Sequence, residues 1–313
     1  MPDRPKLSHW EYISLIALLG KLLLILVTAS ITGVFRSYSS GVPSYKRHVF
    51  YSLVRASSKG LSTRQMQALS PSTLDGYKSF AKSVNIQPNV VKLEDNDKTV
   101  GFWMGKEEAE NTYLYFHGGG YAVYANQAQF QTVWNMIEKV NSRGGQLSVF
   151  ILEYDLAPGA VYPRQTEQAM LALRYLIYTK GKKLSQIIIG GDSAGGNLAL
   201  SVLSHLMHPH PDLSIEPAQD KLKGLLLISP WVTFSLTASA MQENADKDIL
   251  VATSLKRWSD AYLGSATVDE YNSPLHAAPE WWQDIPVSRV LITVGEHEML
   301  RDDGIQLGEK MKV

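Results

Sequence analysis

A serine at the tip of a small-residue turn is the first group in this chain that could perform covalent chemistry. Residues 191–195 read Gly-Asp-Ser-Ala-Gly, with Ser193 at the centre, and they follow the apolar run 186–190. The residues after them, 196–203, favour a helix. A strand, a Gly-x-Ser-x-Gly turn and a helix in this order are typical of a nucleophilic serine held above a sheet. We predict that Ser193 is an acyl-transfer nucleophile; the alternative is an ordinary glycine turn.

A second glycine-rich turn could supply the electrostatic half of the same chemistry. Residues 117–120 read His-Gly-Gly-Gly and directly follow the apolar run 113–116. Consecutive glycines leave backbone N–H groups open to close approach by a ligand. We predict an oxyanion hole formed by the N–H groups of Gly118, Gly119 and Ala194. His117 is expected to fix this loop rather than to react.

Three motifs together resemble the hormone-sensitive-lipase-like branch of the α/β-hydrolases. They are the turn at 117–120, the segment at 153–163 and the extended serine turn at 191–197. The middle segment departs from the family's Tyr-Arg-Leu-Ala-Pro-Glu pattern at Asp155 and at Gly159. The N-terminal part is similar to that of fungal membrane-associated members, among them steryl acetyl hydrolases.

The resemblance covers roughly residues 95–313 and implies an ester hydrolase. The expected substrates are short acyl esters of a lipophilic alcohol, a sterol or a fungal specialised metabolite. Catalysis would use serine chemistry alone, with no cofactor and no metal. The alternative is a small-molecule binder that keeps the serine turn and the oxyanion loop without turnover; a degenerate, poorly folded member is a third hypothesis.

The sequence offers a candidate for the catalytic acid but none, at the expected position, for the catalytic base. In this fold the order along the chain is serine, acid, histidine. The resemblance places the acid at Glu298, with Glu296 as the runner-up, while Asp302 and Asp303 are expected to cap the following helix. No histidine follows Glu298 before Val313. We therefore expect the last strand and the histidine loop of the family to be missing, as in a shortened gene model or a natural truncation.

The histidines elsewhere in the chain are weak candidates for the base. His297 adjoins the acid, but neighbouring residues on a loop usually point apart. The remaining candidates are expected to be packing or surface residues, or to lie far along the helix after the serine: His48, His276, His205, His208 and His210.

The expected fold class is α/β, with a mostly parallel central sheet, helices on both faces and a partly helical cap. Strand and helix patterns alternate after residue 95, which favours this arrangement. Strands are predicted at 99–104, 112–116, 147–154, 186–190, 222–229 and 289–295, and helices at 127–140, 164–179, 253–263 and 304–312. Residues 230–287 are predicted to help wall the substrate pocket; the alternative is that their four tryptophans only pack in the core.

The N-terminal part differs in character, and we divide the chain into a membrane-associated or cap region at 1–94 and an incomplete hydrolase domain at 95–313. Residues 12–35 are long and apolar enough to span a bilayer, although Lys21 interrupts them. Three hypotheses remain: a single-pass anchor, an interfacial helix and a soluble lid. A cleaved signal peptide fits less well. Basic residues after the segment favour a cytosolic enzyme domain, and the endoplasmic reticulum membrane is the expected location.

Composition excludes several other functions. The chain has 313 residues, 30 basic and 30 acidic, with a formal net charge of +0 and no cysteine. Disulfides and cysteine-ligated metals are therefore excluded. No basic run or nucleic-acid-binding motif is present, so a small-molecule ester is the expected partner.

Overall fold

The structure is a computed structural model that describes residues 5–35, 42, 44–93, 99–213 and 220–312. Of the basic residues that flank the apolar N-terminal segment, Arg4 and Arg36 lie outside this part of the chain.

Seven strands form one mixed sheet within the described residues, in the order β1-β2-β4-β3-β5-β6-β7. The pairs β1–β2 and β2–β4 are antiparallel, and all the other neighbours are parallel. The strands are β1 Asn89–Lys92, β2 Val100–Met104, β3 Asn111–Phe116, β4 Leu147–Glu153, β5 Ile187–Asp192, β6 Gly224–Ile228 and β7 Val290–Thr293. The predicted α/β-hydrolase architecture is confirmed. β1 was not predicted; it lies before residue 94 and pairs with β2.

Helices cover both faces of this sheet, as predicted. Alternate residues of β3 and β4 enter two separate cores: Leu114 and Phe150 lie in one, Tyr113 and Val149 in the other. This alternation is the period-2 geometry of a strand that is buried on both sides. The helices that follow the first strands are α5 Gln127–Asn141, α6 Arg164–Arg174, which continues as a π-helical turn at Tyr175–Thr179, and α7 Ala194–Met207.

The N-terminal part forms four helices: α1 His9–Val34, α2 Tyr45–Gly60, α3 Thr63–Leu69 and α4 Thr73–Ser83. α1 begins at a capping box, in which Ser8 and Glu11 satisfy each other's backbone N–H groups. It then packs along α2, with Leu18 lying against Gly60. α1 is apolar and long enough to cross a membrane, by length and composition only, and it is mostly exposed.

The segment between β6 and β7 is partly helical, with α8 Ser239–Glu243 and α9 Ala252–Leu263. Its tryptophans pack into the protein: Trp231, Trp258 and Trp282 are buried, and Trp281 contacts His208 in a tilted arrangement with 3.9 Å between ring centroids. None of the four lines the cavity at Ser193 described below. Residues 247–250 of this segment do line it, so the predicted wall exists but is built from other side chains.

The last helix, α10 Arg301–Lys310, corrects one prediction. Among the hydrogen bonds of the described residues, neither Asp302 nor Asp303 caps its own helix. Asp302 instead accepts the N–H of Ala240 in α8 at 2.8 Å and pairs with Arg301. Asp303 is buried, its Oδ2 has no hydrogen-bond partner among the described residues, and burial raises its pKa to about 6.

The adjacent carboxyls of Asp302 and Asp303 should therefore affect stability in opposite directions. Folding raises the pKa of Asp303 from 3.8 to about 6, so the folded state binds more protons in that interval and loses stability as pH rises through it. We expect Asp303→Asn to be more stable than the native chain above pH 6, by on the order of 1 kcal/mol after allowance for solvent screening. The difference in unfolding free energy between the variant and the native chain, measured from urea unfolding curves, should disappear toward pH 4.

Asp302→Asn is the matched control for this experiment. Hydrogen bonding from Ala240 lowers the pKa of Asp302 in the folded protein, so its carboxylate stabilises the fold above pH 3.8 and loses that effect in acid. We expect Asp302→Asn to destabilise the protein at neutral pH. If both variants destabilise equally at pH 7, the buried carboxyl of Asp303 carries no desolvation cost.

Candidate active site

Ser193 occupies a strained turn between β5 and α7. Its backbone has φ 52° and ψ −118°, a combination that a residue with a side chain adopts only where its surroundings impose it. Its N–H donates to the carbonyl of Ile228 at 3.0 Å. Its carbonyl accepts the N–H groups of Trp231 and Asn197, at 3.0 and 3.1 Å. These three bonds, which involve β6, the loop after it and α7, hold the turn in place.

The glycines on either side of Ser193 are required by the closeness of β3. A Cβ atom added to Gly195 would lie 1.9 Å from the carbonyl oxygen of Phe116, and one added to Gly191 would lie 2.1 Å from the same atom. No side chain fits at such distances from a backbone oxygen that the fold cannot move. The Gly-x-Ser-x-Gly spacing therefore allows the serine turn to lie directly against the end of β3.

Asp192, which was not singled out from the sequence, fixes the position of the oxyanion loop. Its Oδ1 accepts the N–H of Gly118 at 2.9 Å and the hydroxyl of Tyr115. Its Oδ2 accepts Nε2 of Gln129 at 2.9 Å. The carboxylate thus connects the serine turn to β3, to the glycine loop and to α5. The sequence did contain a signal for this role, because an acidic residue directly before the serine can reach the neighbouring loop.

The three predicted oxyanion donors are not equivalent in this geometry. The N–H of Gly118 is directed at Asp192. The N–H groups of Gly119 and Ala194 make no hydrogen bond to the described residues. Gly119 has φ +127°, a conformation that L side chains rarely adopt, so the backbone conformation of this part of the loop depends on glycine. Of the three predicted donors, only Gly119 and Ala194 therefore have N–H groups that are not used within the described residues.

His117 holds the glycine loop at 117–120 through its ring and its backbone. Its ring is buried, stacks on Tyr154 with 4.3 Å between ring centroids, and donates from Nδ1 to the carbonyl of Gly118 at 2.7 Å. The hydroxyl of Tyr154 donates to the carbonyl of His117 at 2.7 Å. Burial lowers the pKa of His117, which favours the neutral ring. These contacts fit the structural role predicted for this histidine.

Ser193 and Glu298 line one cavity of about 360 Å³, which we call the serine cavity. Arg47 and Tyr51 of α2 also line it, so the N-terminal part of the chain contributes directly to the site. Leu250, from the segment between β6 and β7, lines it as well. Gly118, Gly119 and Ala194 are not among the residues that line this cavity.

The loop that carries Glu298 is held by two neighbours. Asp248 accepts the N–H of Met299 at 2.6 Å, and Asn244 donates to the carbonyl of Glu298 at 2.9 Å. Oε2 of Glu298 is buried and has no hydrogen-bond partner among the described residues. The runner-up, Glu296, is exposed and does not line the serine cavity.

Only some of the candidate bases lie near Ser193. His297 is exposed and lines the serine cavity, whereas the other candidates do not. Nδ1 of His205 accepts the backbone N–H of His210. Nε2 of the His210 ring forms a hydrogen bond with the hydroxyl of Tyr162 at 2.6 Å. His208 contacts Trp281. His276 lines a separate cavity beside Asp303. In the part of the chain that is described, no group of three or more potential metal ligands occurs.

Comparison with known proteins agrees with this geometry. Esterase LipI of Mycobacterium tuberculosis is 31% identical over 202 residues, a match that covers 63% of this chain and 58% of that protein. Steryl acetyl hydrolase 1 of Saccharomyces cerevisiae is 27% identical over 213 residues, which cover 63% of this chain and 47% of that protein. The chain thus spans about half the length of these curated relatives.

Structural comparison extends the match further along the chain. An esterase from the bacterial hormone-sensitive lipase (HSL) family superposes with a TM-score of 0.62 at 24% identity, over 85% of this chain and 83% of that one. The family model described as the alpha/beta hydrolase fold matches residues 113–313, which is more than half of the sequence. The chain belongs to the α/β-hydrolase fold family.

Proposed function

We propose that this protein is a carboxylic ester hydrolase with Ser193 as nucleophile, Glu298 as the orienting acid and Gly119 and Ala194 as oxyanion donors. One observation carries the proposal. The strained Ser193 and the buried, unpartnered Oε2 of Glu298 line the same cavity, two features that each cost stability and that a plain turn would not need.

The chemistry follows from these positions. Ser193 Oγ attacks the ester carbonyl, and the negative oxygen of the tetrahedral intermediate accepts the N–H groups of Gly119 and Ala194. Each such donor typically lowers the barrier by about 3–4 kcal/mol. The C–O bond to the alcohol then breaks, and the alcohol leaves with the proton that Ser193 Oγ lost on attack. Water cleaves the acyl-serine in the second half of the reaction and releases the carboxylic acid.

Proton transfer requires a base between the serine and the acid. An imidazole is the group that such a carboxylate orients, and its N–H would satisfy Oε2 of Glu298. Among the described residues only His297 lines the serine cavity with an imidazole. His297 and Glu298 are consecutive on one loop, which does not place the ring between the acid and Ser193. We therefore assign the nucleophile, the oxyanion donors and the acid, but not the base.

A short acyl group on a lipophilic alcohol is the substrate class that we propose. The serine cavity is small, about 360 Å³, and its walls include the apolar side chains of Ile249, Leu250 and Leu300. Tyr51 and Arg47 place α2 at this cavity, and α1, which packs along α2, carries exposed apolar side chains. The yeast relative bears the name steryl acetyl hydrolase, which agrees with an acetyl ester of a lipophilic alcohol.

Of the three N-terminal hypotheses, we propose the interfacial helix. Both ends of α1 are joined to the rest of the protein: Glu11 pairs with Arg64 at 3.3 Å, and Gly33 lies against Tyr45. A spanning α1 would draw α2, with its several basic side chains, into hydrocarbon, which is costly. An interfacial α1 buries only its outer face. Association with the endoplasmic reticulum membrane is part of this proposal.

The second candidate function is a small-molecule binder, and the lack of an imidazole between Ser193 and Glu298 in the described residues favours it. A binder would take up an ester without cleaving it. The following experiment separates the two functions.

Added imidazole should stimulate hydrolysis of p-nitrophenyl acetate by the chain of residues 1–313. A general base typically contributes about 10²–10⁴ in rate, and free imidazole admitted to the serine cavity should recover part of this, about tenfold or more. The stimulation should disappear in Ser193→Ala and fall strongly in Glu298→Gln, because the carboxylate can no longer orient the ring. Release of p-nitrophenol, with the spontaneous imidazole reaction subtracted, measures it.

Glu296→Gln is the matched control, since Glu296 lies two residues away but outside the serine cavity. It should respond to imidazole as the native chain does. Equal stimulation of Ser193→Ala and the native chain would exclude the hydrolase assignment. Saturable binding of the ester without any Ser193-dependent turnover would support the binder.

Membrane association should depend on the outer face of α1. Ile16, Leu19 and Leu23 are 70%, 61% and 64% exposed. Replacing all three by Ser should weaken binding to phosphatidylcholine vesicles by about a hundredfold, since each apolar side chain contributes about 1 kcal/mol when partly buried in the interface. Vesicle flotation measures this.

A second triple variant controls for loss of exposed apolar surface in general. Tyr178→Ser, Ile305→Ser and Val268→Ser change exposed apolar residues that lie outside α1, and they should leave flotation unchanged. Sodium carbonate should release the native chain from vesicles. Retention after this treatment would contradict the interfacial orientation and favour a spanning helix.

A further inference from the structure

A separate cavity, of about 500 Å³, lies between α10 and two stretches of the segment that separates β6 from β7. Side chains from 233–237 and from 268–276 form two of its walls, and Asp303 and Gln306 form the wall on α10. We call it the Asp303 cavity. It shares no lining residue with the serine cavity.

Asp303 is the residue of this cavity that most needs a physical explanation. It is only 6% exposed, and its Oδ2 has no hydrogen-bond partner among the described residues. Burial and the like charge of Asp302 together raise the pKa of Asp303 to about 6. Carboxylates that are withdrawn from water are normally hydrogen-bonded or paired with a cation. Asp303 therefore lowers the stability of the fold, and residues that do so are typical of binding sites.

The cations of α10 are directed away from this carboxylate. Arg301 forms ion pairs with Glu243 and Asp302. Nζ of Lys310 donates to two backbone carbonyls of residues 275–277, at 2.8 Å each. No Lys or Arg lines the cavity in the part of the chain that the structure describes. A ligand would therefore have to bring the positive charge that compensates the buried carboxylate.

Hydrogen bonds hold the walls of the Asp303 cavity in place. Nδ2 of Asn197 in α7 donates to the carbonyl of Trp231 at 2.8 Å and to that of Asn272 at 2.9 Å. The N–H of Leu275 donates to the carbonyl of Val232 at 2.9 Å. Together with the bonds from α10, these contacts join both stretches to each other and to two helices. The spacing of the walls is thus set by the fold.

The other polar side chains of the cavity suit a group that carries several N–H donors. Thr233, Ser235 and Thr237 line it, and each hydroxyl oxygen can accept a hydrogen bond. A transition metal or a divalent cation fits this lining poorly, because no group of three or more potential metal ligands occurs in the described residues. An ammonium group has three N–H donors and one positive charge, which match hydroxyl oxygens and a single carboxylate.

The remaining lining is apolar and includes Phe234, Val268 and Leu275. An inorganic monovalent cation gains nothing from these side chains, whereas a carbon chain does. We propose that the Asp303 cavity binds a small organic cation with a primary ammonium group. The ammonium lies at the Asp303 carboxylate, and the carbon chain lies on the apolar side chains.

The test measures binding directly and so does not depend on the proposed hydrolase activity. At pH 8, where Asp303 is ionised, saturation-transfer difference NMR titrations of the whole chain compare butylammonium with 1-butanol, which has the same carbon chain without the charge. Butylammonium should bind about tenfold or more tightly, because a charge-assisted hydrogen bond is worth roughly that factor. An equal concentration of potassium chloride should not displace it.

Asp303→Asn locates the site. The substitution keeps the shape of the side chain, removes its charge and is expected to fold at least as stably as the native chain, so a loss of binding would not reflect unfolding. Affinity for butylammonium should fall by about tenfold or more, and affinity for 1-butanol should not change. Asp302→Asn is the matched control, since it removes the adjacent carboxylate, which does not line the cavity. At a temperature where circular dichroism shows both variants folded, Asp302→Asn should bind butylammonium as the native chain does.

Each other result would overturn the proposal. Equal affinity for the two probes would indicate a neutral, hydroxyl-bearing ligand. Displacement of butylammonium by potassium would indicate a site for any monovalent cation. Butylammonium binding that Asp303→Asn leaves unchanged would place the ligand elsewhere on the protein.

Discussion

The carboxylate of Asp192 is the contact on which the geometry of the candidate site depends. It lies at the end of β5, one residue before the strained Ser193, and its two oxygens bind the glycine loop, β3 and α5. Asp192 is partly buried, and a carboxylate that is withdrawn from water in this way needs donors to satisfy it. Because these donors come from three different elements, the relative position of serine turn and oxyanion loop is set by one group. The N–H of Gly118 is used for this purpose, whereas the N–H of the neighbouring Gly119 makes no hydrogen bond to the described residues.

Most of the sheet could be predicted from the sequence because its strands are short apolar runs with clear turn and loop residues at their ends. Ile187–Asp192 and Gly224–Ile228 are buried on both faces, and that pattern differs from the 3.6-residue period of α5. The serine turn was predictable for a different reason. The carbonyl oxygen of Phe116 lies so close that only glycine fits at positions 191 and 195. This packing constraint is therefore visible in the sequence as two glycines.

The parts that could not be predicted depend on contacts between distant segments. β1 is only four residues long, and its pairing with β2 supplies the stabilisation that its own sequence does not. Asp302 carries the local signature of a capping residue, yet its side chain caps α8, sixty residues earlier in the chain. Local preference identified the type of interaction correctly and its partner wrongly. Similarly, the four tryptophans of the segment after β6 were visible in the sequence, but not that their side chains would lie outside the lining of the serine cavity.

The N-terminal helices are part of the site rather than an appendage to it. α2 places Arg47 and Tyr51 in the serine cavity, and Arg55 and Lys59 in a second cavity that Lys21 of α1 also lines. Between the two cavities, Arg55 holds the carbonyl of Asp248, whose carboxylate in turn holds the N–H of Met299, next to Glu298. A shift of α2 would therefore be transmitted through two hydrogen bonds to the loop of the candidate acid. Because α1 packs along α2 and exposes its apolar outer face, a membrane surface that fixes α1 would also fix α2. The same helix pair thus connects the surface where a lipophilic ester would be found to the carboxylate that would orient its hydrolysis.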